Sequence, residues 1–257
     1  MNSAIAIISD FGLKDHYVGT VHGIIYDIAP EAKVIDITHF IKPFDVVDGA
    51  LKLKWSFRYF PAGTIFLCLV DPDPFAEAVI VTTENYFLVC PNNGIGSLMF
   101  EEEPPEAVHR ITAEHYFVNR RRAGNFRGRD QLAPIAAELS RLQTASHLGE
   151  KMDLKQLKRF KLPEPQPVGN SVYEAIVLDV DYFGNLILNA TGDTGLPKAA
   201  EVNGVKITKS QENFSGVKKG ELFISLNPEN HVQIVAYMSN AAKLLKATRG
   251  TKVKLYY

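Results

Sequence analysis

The stretch Ala4-Ile5-Ala6-Ile7-Ile8-Ser9-Asp10-Phe11-Gly12 is the part of the sequence from which the fold class follows. The apolar run from Ala4 to Ser9 has the length and composition of a strand buried on both faces. The residues from Tyr17 to Ile28 then show helical spacing of apolar side chains, and Lys33 to Ile37 is strand-like again. A buried strand, a helix and a second strand in this order are typical of an α/β fold.

The same alternation continues along the first two thirds of the chain. Further strands are predicted over 64–70, 79–83 and 86–90, with a turn at Glu84-Asn85 between the last two, and helices over 45–60 and 130–144. Helices of this length between strands imply a mostly parallel sheet that is covered on both faces. The sequence therefore predicts an α/β N-terminal domain over residues 1–160.

A change in composition predicts a second, smaller domain. The proline-rich stretch from Leu162 to Pro167 indicates a linker, which is placed at 161–170. Short β-like runs separated by turn residues follow it, at 173–180, 185–189, 201–207, 221–225, 232–236 and 252–256, with one short helix at 240–245. This pattern predicts an all-β, barrel-like C-terminal domain over residues 171–257.

Composition and charge exclude several classes of protein. The chain has 257 residues, of which 46% are hydrophobic and 22% charged, and its formal net charge is −1. A near-neutral chain lacks the basic excess of a general binder of nucleic acid or anionic membranes, and we find neither a membrane-spanning run nor a signal peptide. Cys68 and Cys90 lie in apolar runs without metal-site spacing, which indicates buried free thiols and a reducing, cytoplasmic location.

Three carboxylates are placed near the carboxyl ends of predicted strands, the edge at which open α/β sheets bind ligands: Asp10, Asp36 and Asp71. Asp10 can accept hydrogen bonds from the two hydroxyls of a ribose, although spacing alone favours a helix cap. Asp71, in Asp71-Pro72-Asp73-Pro74, can act as a general base or belong to a rigid polar turn.

Two further segments can carry chemistry or serve structure. Arg127 precedes a predicted helix and can stabilise an anion or be a solvated charge, while Asp130 fits an N-cap. The segment Asp181-Tyr182-Phe183-Gly184-Asn185 offers stacking and amide groups for a purine, or aromatic side chains for a β-domain core. The spacing of the seven histidines along the chain predicts no metal site.

Taken together, these segments resemble the S-adenosyl-L-methionine hydroxide adenosyltransferase family, which is related to the fluorinases and chlorinases. The motifs of the family occur in the same order in this sequence and extend over almost the whole chain. The motifs that carry it are Ser9-Asp10-Phe11-Gly12, Asp36-Ile37-Thr38-His39, Pro43-Phe44-Asp45, Phe60-Pro61-Ala62-Gly63-Thr64, Val70-Asp71-Pro72, Asn92-Asn93-Gly94, Gly128-Arg129-Asp130 and Asp181-Tyr182-Phe183-Gly184-Asn185.

The resemblance implies an activity and an assembly. Water or hydroxide would attack C5′ of S-adenosylmethionine and release adenosine and methionine, without a metal or an organic cofactor. The chain would form a homotrimer, with each nucleoside site between the N-terminal domain of one subunit and the C-terminal domain of the next. The only ligand expected is thus a small-molecule nucleoside substrate.

Carried over position by position, the resemblance assigns roles to individual residues. Asp10 would bind the ribose diol, and Phe44 would pack beside the sugar. Phe183 and Asn185 would hold the adenine, and Asp181 would face the methionine ammonium group. Asp71 matches the catalytic aspartate of the family.

The chain departs from the family pattern at the other members of an Asp-Arg-His triad. Ala78 stands at the arginine position and Arg127 at the histidine position. Asn227-Pro228-Glu229-Asn230-His231 stands where the family supplies contacts to the methionine carboxylate. Two functions therefore remain open: hydrolysis with Asp71 and Arg127 as catalytic residues, or a catalytically silent protein that binds adenosine or S-adenosylmethionine.

Overall fold

The chain folds into two compact units, Met1–Lys161 and Leu162–Tyr257. The computed structural model describes residues 4–70, 75–118 and 126–257. Each unit contains one β-sheet and its own hydrophobic core.

The sheet of the first unit has seven strands in the order β2-β1-β3-β5-β4-β6-β7. They are β1 (Ala4–Ser9), β2 (Lys33–Thr38), β3 (Ile65–Leu69), β4 (Ala78–Thr83), β5 (Phe87–Pro91), β6 (Pro105–Ile111) and β7 (Gly149–Met152). The pairs β1–β2, β1–β3 and β3–β5 are parallel, whereas β4–β5, β4–β6 and β6–β7 are antiparallel. The sheet is therefore mixed, and the prediction of a mostly parallel sheet is corrected. The predicted turn at Glu84-Asn85 makes β4 antiparallel to β5, and β6 and β7 extend that edge.

Helices cover both faces of this sheet, as predicted. They are α1 (Tyr17–Ile28), α2 (Val46–Ser56) and α3 (Ala133–Leu142). Side chains of β1 alternate between the two faces: Ile5 and Ile7 pack in one core with α1 and α3, and Ala6 and Ile8 pack in the other core with Leu53 of α2. Burial of the whole strand explains why its sequence is a continuous apolar run.

The second unit is a nearly closed antiparallel barrel, which confirms the barrel-like prediction. Its order is β12-β11-β15-β9-β10-β14-β13, with β8 paired to β9. The elements are β8 (Gln166–Gly169), β9 (Val172–Val180), β10 (Leu186–Thr191), β11 (Ala199–Val202), β12 (Val205–Ile207), β13 (Leu222–Leu226), β14 (His231–Ala236), α4 (Ala241–Leu245) and β15 (Lys252–Tyr256). β8 lies in the range that the proline content marks as a linker, and it pairs with β9 through Gln166 and Pro167.

Both cysteines are buried and neither forms a disulfide, as their apolar neighbours predict. No helix in the described parts of the chain is long and apolar enough to cross a bilayer.

Candidate functional site

Asp10 follows β1 at the carboxyl edge of the sheet and binds a loop rather than a helix. Its Oδ2 accepts a hydrogen bond from the backbone N–H of Phe44 at 2.8 Å. The helix-cap interpretation of Asp10 is wrong, because α1 begins at Tyr17 and has His16 as its N-cap residue. Burial raises the pKa of the Asp10 carboxyl, and the hydrogen bond from Phe44 opposes this effect.

The chain after β2 is held against the chain after β1. The N–H of Gly12 donates to the carbonyl of His39 at 2.7 Å, and Gly12 has φ +64°, a conformation that favours glycine. Phe44 also has a positive φ, and the residue is 68% exposed. The backbone of an exposed aromatic residue is thus bound to a half-buried carboxylate at the sheet edge.

Arg127 lies at the same edge of the sheet as Asp10. It immediately precedes a π-helical turn, Gly128–Leu132, and its guanidinium donates a hydrogen bond to the carbonyl of Ala76. A Cβ atom added at Gly128 would lie 3.2 Å from the ring of Phe11 and 3.4 Å from Leu69, so this turn packs against the ends of β1 and β3. The Arg127 side chain is therefore placed where parallel strands end, the region in which α/β sheets bind ligands.

Asp130 anchors this turn from inside rather than capping a helix. Its side chain is 0% exposed and accepts two hydrogen bonds from Arg129, at 2.7 and 2.8 Å. The hydrogen bond to Asp130 raises the pKa of Arg129 further. The N-cap prediction for Asp130 is corrected, since α3 begins only at Ala133, after the π-helical turn.

Asp71 lies outside the described residues, but Val70, the residue before it, is placed. The side-chain amide of Asn93 donates to the carbonyl of Val70, the residue before Asp71, at 2.7 Å. Ala78, at the family's arginine position, is the first residue of β4 and is 9% exposed. The triad position that would hold an arginine is thus filled by a methyl group packed in the core.

In the second unit, Asp181 organises the loop between β9 and β10. Its Oδ1 accepts from the N–H groups of Phe183 and Asn185 at 2.9 and 2.8 Å, and its Oδ2 accepts from Nδ2 of Asn185 at 2.7 Å. Gly184 has φ +86°, and a Cβ atom there would collide with the side chain of Asn240. The carboxylate of Asp181 therefore fixes the orientation of Phe183 and of the Asn185 amide.

This loop borders a cavity of about 690 Å³. A cavity of this size holds a small organic ligand. Its lining residues are Phe183, Asn185, Phe214, Val235, Ala236, Tyr237, Met238, Ser239 and Asn240. Two residues predicted to hold adenine therefore line one cavity, whereas Asp181 acts through its hydrogen bonds to them.

Sequence reasoning missed most of this lining. Phe214 lies 5.4 Å from the ring of Phe223 and 6.0 Å from that of Tyr237, and half of its surface is exposed. An exposed aromatic in a polar stretch is the signal that points to Phe214. Asn240 is the N-cap of α4, which its position before a helical run indicates.

The segment from Asn227 to His231 forms the turn between β13 and β14. Oδ1 of Asn227 accepts from the N–H groups of Glu229 and His231 at 3.1 and 2.7 Å. The cavity lies at the other end of β14, which is about 17 Å away for a strand of this length. This departure from the family pattern therefore leaves the cavity lining itself intact.

Comparisons with known proteins match both units. Residues 5–149 match the SAM hydroxide adenosyltransferase N-terminal domain, and residues 175–254 match its C-terminal domain. An (R)-S-adenosyl-L-methionine hydrolase of Salinispora arenicola is 31% identical over 98% of this chain and 97% of its own. A hydrolase of the same name from Methanocaldococcus jannaschii is 31% identical over 98% and 95%. An uncharacterized conserved protein from Thermotoga maritima has the same fold, with a TM-score of 0.89 and 26% identity over 98% of this chain and 100% of its own.

Proposed function

Because the chain belongs to the S-adenosyl-L-methionine hydroxide adenosyltransferase family, we propose that it hydrolyses S-adenosyl-L-methionine to adenosine and methionine. The relatives named as hydrolases match almost its whole length, so the segments that form the sheet edge and the cavity are both included in the match. The observation that carries the proposal is a pair of half-sites. One is the Asp10 carboxylate bound to Phe44 at the sheet edge, and the other is the barrel cavity lined by Phe183 and Asn185.

The proposed reaction is a displacement at C5′. The oxygen of water forms a bond to C5′, the C5′–S bond breaks, and its electron pair neutralises the sulfonium. The leaving sulfur is already cationic, so no acid has to protonate it. The protein contributes by positioning the water in line with the bond, by excluding bulk solvent and by accepting a proton. This chemistry requires neither a metal nor an organic cofactor.

Asp71 and Arg127 are the proposed catalytic residues. Asp71 accepts the proton that the attacking water loses, as a general base. Arg127 stays protonated at any relevant pH, so it cannot replace the family's histidine as a base, but its charge can stabilise the developing hydroxide. The Arg127 guanidinium already binds the carbonyl of Ala76, which is close in sequence to Asp71.

The remaining residues hold the substrate. Asp10 binds the ribose diol and Phe44 packs beside the sugar. Phe183 stacks on the adenine, and Asn185 offers its amide oxygen and the second N–H of Nδ2, since the first is bound to Asp181. Since Asp181 is occupied by its own loop, its contact with the methionine ammonium group would use the remaining lone pairs of Oδ2.

The proposed assembly is a homotrimer, in which the Asp10 edge of one subunit and the barrel cavity of the next enclose one nucleoside. Tyr182 and Phe183 are 98% and 72% exposed in the single chain. Exposed aromatic residues of this kind are expected where a neighbouring subunit or a ligand covers the surface. We further propose a cytoplasmic location, because the two buried cysteines are free thiols.

A second candidate is a nucleoside-binding protein without catalysis. The buried methyl group of Ala78 favours it, because an arginine is missing from the family triad. The two candidates predict the same affinity for adenosine and differ in turnover.

Chromatography of the products separates these candidates. The protein is incubated with each sulfonium epimer of S-adenosylmethionine, and adenosine and methionine are quantified. We expect equal amounts of both products, and a rate about 10²–10⁴ lower for Asp71→Asn. The exposed Asp27→Asn is the matched control and should keep the wild-type rate. Adenosine binding without release of adenosine above the Asp71→Asn level would favour the silent binding protein.

A further inference from the structure

Three side chains of metal-ligating type from separate elements meet in the first unit. His22 comes from α1, Asp36 from β2 and His39 from the loop that follows β2. Oδ1 of Asp36 lies 2.9 Å from Nε2 of His22 and 3.0 Å from Nε2 of His39. All three ligand atoms lie within 4.8 Å of one another.

His39 is held in a fixed orientation with one nitrogen unsatisfied. The side chain is 4% exposed, and its Nδ1 lies 2.7 Å from Oγ of Ser9, which is 0% exposed. Nε2 of His39 is buried and makes no hydrogen bond to the described residues, although Oδ1 of Asp36 lies 3.0 Å from it. A buried polar atom that lacks a hydrogen bond is costly, so a ligand bound to this nitrogen would stabilise it.

We propose that His22, Asp36 and His39 bind a divalent transition-metal ion, for which Zn²⁺ is the best match. Two imidazole nitrogens and one carboxylate oxygen are a ligand set of zinc sites, and imidazole disfavours Mg²⁺ and Ca²⁺. Ligand atoms at about 2.0–2.1 Å from a tetrahedral ion lie about 3.3 Å apart. The two nitrogen–oxygen separations of 2.9 and 3.0 Å are close to this value, and all three ligand atoms lie within 4.8 Å of one another, so side-chain rotations can bring them around one ion.

The surroundings of the cluster support such a site. Ligating histidines commonly use their second nitrogen to hold a hydrogen-bond partner that fixes the ring, and Ser9 takes this role for His39. Asp36 and His22 are both partly exposed, at 39% and 27% of their side chains, which gives an ion a path from solvent and leaves a position for water. The ion would link α1 to β2 and, through His39 and Ser9, to the strand that carries Asp10.

Titration of Zn²⁺ into untagged, EDTA-treated and dialysed protein tests the site. Calorimetry should give one ion per chain with micromolar or tighter affinity. His22→Ala should weaken binding at least tenfold, whereas the exposed His147→Ala, a matched control on a different surface, should not change it. Zn²⁺ should also raise the midpoint of thermal unfolding of the wild type and of His147→Ala, and not that of His22→Ala.

Co²⁺ supplies a second readout that does not depend on comparing stabilities. Its visible absorption should appear at one equivalent in the wild type and be lost in Asp36→Asn, which keeps the shape of the side chain and removes its charge. The proposal is overturned if wild-type protein takes up no stoichiometric ion, or if natively folded His22→Ala and Asp36→Asn bind Zn²⁺ as the wild type does. None of these measurements depends on hydrolytic activity.

Discussion

At the scale of single residues, the account depends on Asp10. Its carboxylate is half-buried, accepts a hydrogen bond from the backbone of Phe44 and keeps lone pairs for a ligand. We expect Asp10→Asn to weaken adenosine binding about tenfold to a hundredfold, because a hydrogen bond to a charged group is replaced by a neutral one. Isothermal titration calorimetry measures this change. Asp27→Asn, on the exposed side of α1, is the control, and equal affinities for the two variants would exclude Asp10 from the site.

The pH dependence of binding follows from the same residue. Burial raises the pKa of Asp10, and the ribose hydroxyls bind its ionised form. Adenosine affinity should therefore be complete well above this pKa and be lost as the pH falls through it. Because the pKa is raised, the loss should begin at a higher pH than for an ordinary aspartate. Asp10→Asn should abolish this inflection in a series of calorimetric titrations, and an unchanged inflection would assign it to another group.

Residue identities alone predicted several candidate positions but not their partners. The motif around Asp10 pointed to the sheet edge, yet only the fold shows that the bond goes to Phe44, which is far along the chain. The His22, Asp36 and His39 cluster has no spacing signature, because packing of a helix against a neighbouring strand assembles it. Such long-range contacts are absent from any local pattern.

At the scale of elements, local periodicity predicted most helices and strands of both units. It failed where pairing decides the structure. β6 and β7 were missed, and with them two of the three antiparallel pairs of the first sheet. The π-helical turn before α3 was predicted as ordinary helix, because a single turn of five residues is too short for its period to be told from that of an α-helix.

Two glycines give a test at this scale: Gly184 lies in the β9–β10 loop, and Gly195 follows β10. Gly184 and Gly195 have φ +86° and +85°, but only a Cβ atom at Gly184 meets another group, the side chain of Asn240. Gly195 also has ψ 175°, a region almost restricted to glycine, so Gly195→Ala should cost about 1–3 kcal/mol of unfolding free energy from backbone strain. Gly184→Ala should cost about 1–3 kcal/mol more through overpacking and should also weaken adenosine binding.

Thermal unfolding and calorimetry on both variants check this expectation. Gly195→Ala should keep wild-type affinity, because its surroundings are open and lie outside the cavity lining. If the two variants lost the same stability and the same affinity, the contact with Asn240 would not hold the adenine loop.

At the scale of the whole molecule, the proposed trimer predicts complementation between defective subunits. Asp10→Asn damages the sugar half of a site, and Phe183→Ala damages its adenine half. If each site takes one half from each of two subunits, reassembling equal amounts of both variants restores about a quarter of the sites. Hydrolysis measured at low substrate should then exceed that of either variant alone. If the hydrolysis rate of the mixture never exceeded the sum of the rates of the two variants, each site would lie within one chain.

The reaction itself is tested most directly by the origin of the oxygen in the product. Hydrolysis of S-adenosylmethionine is run in water enriched with heavy oxygen, and the adenosine is examined by mass spectrometry. Attack of water on C5′ predicts adenosine that carries one heavy atom at its 5′ oxygen, together with methionine that carries none. Absence of adenosine, or adenosine without the label, would contradict the account.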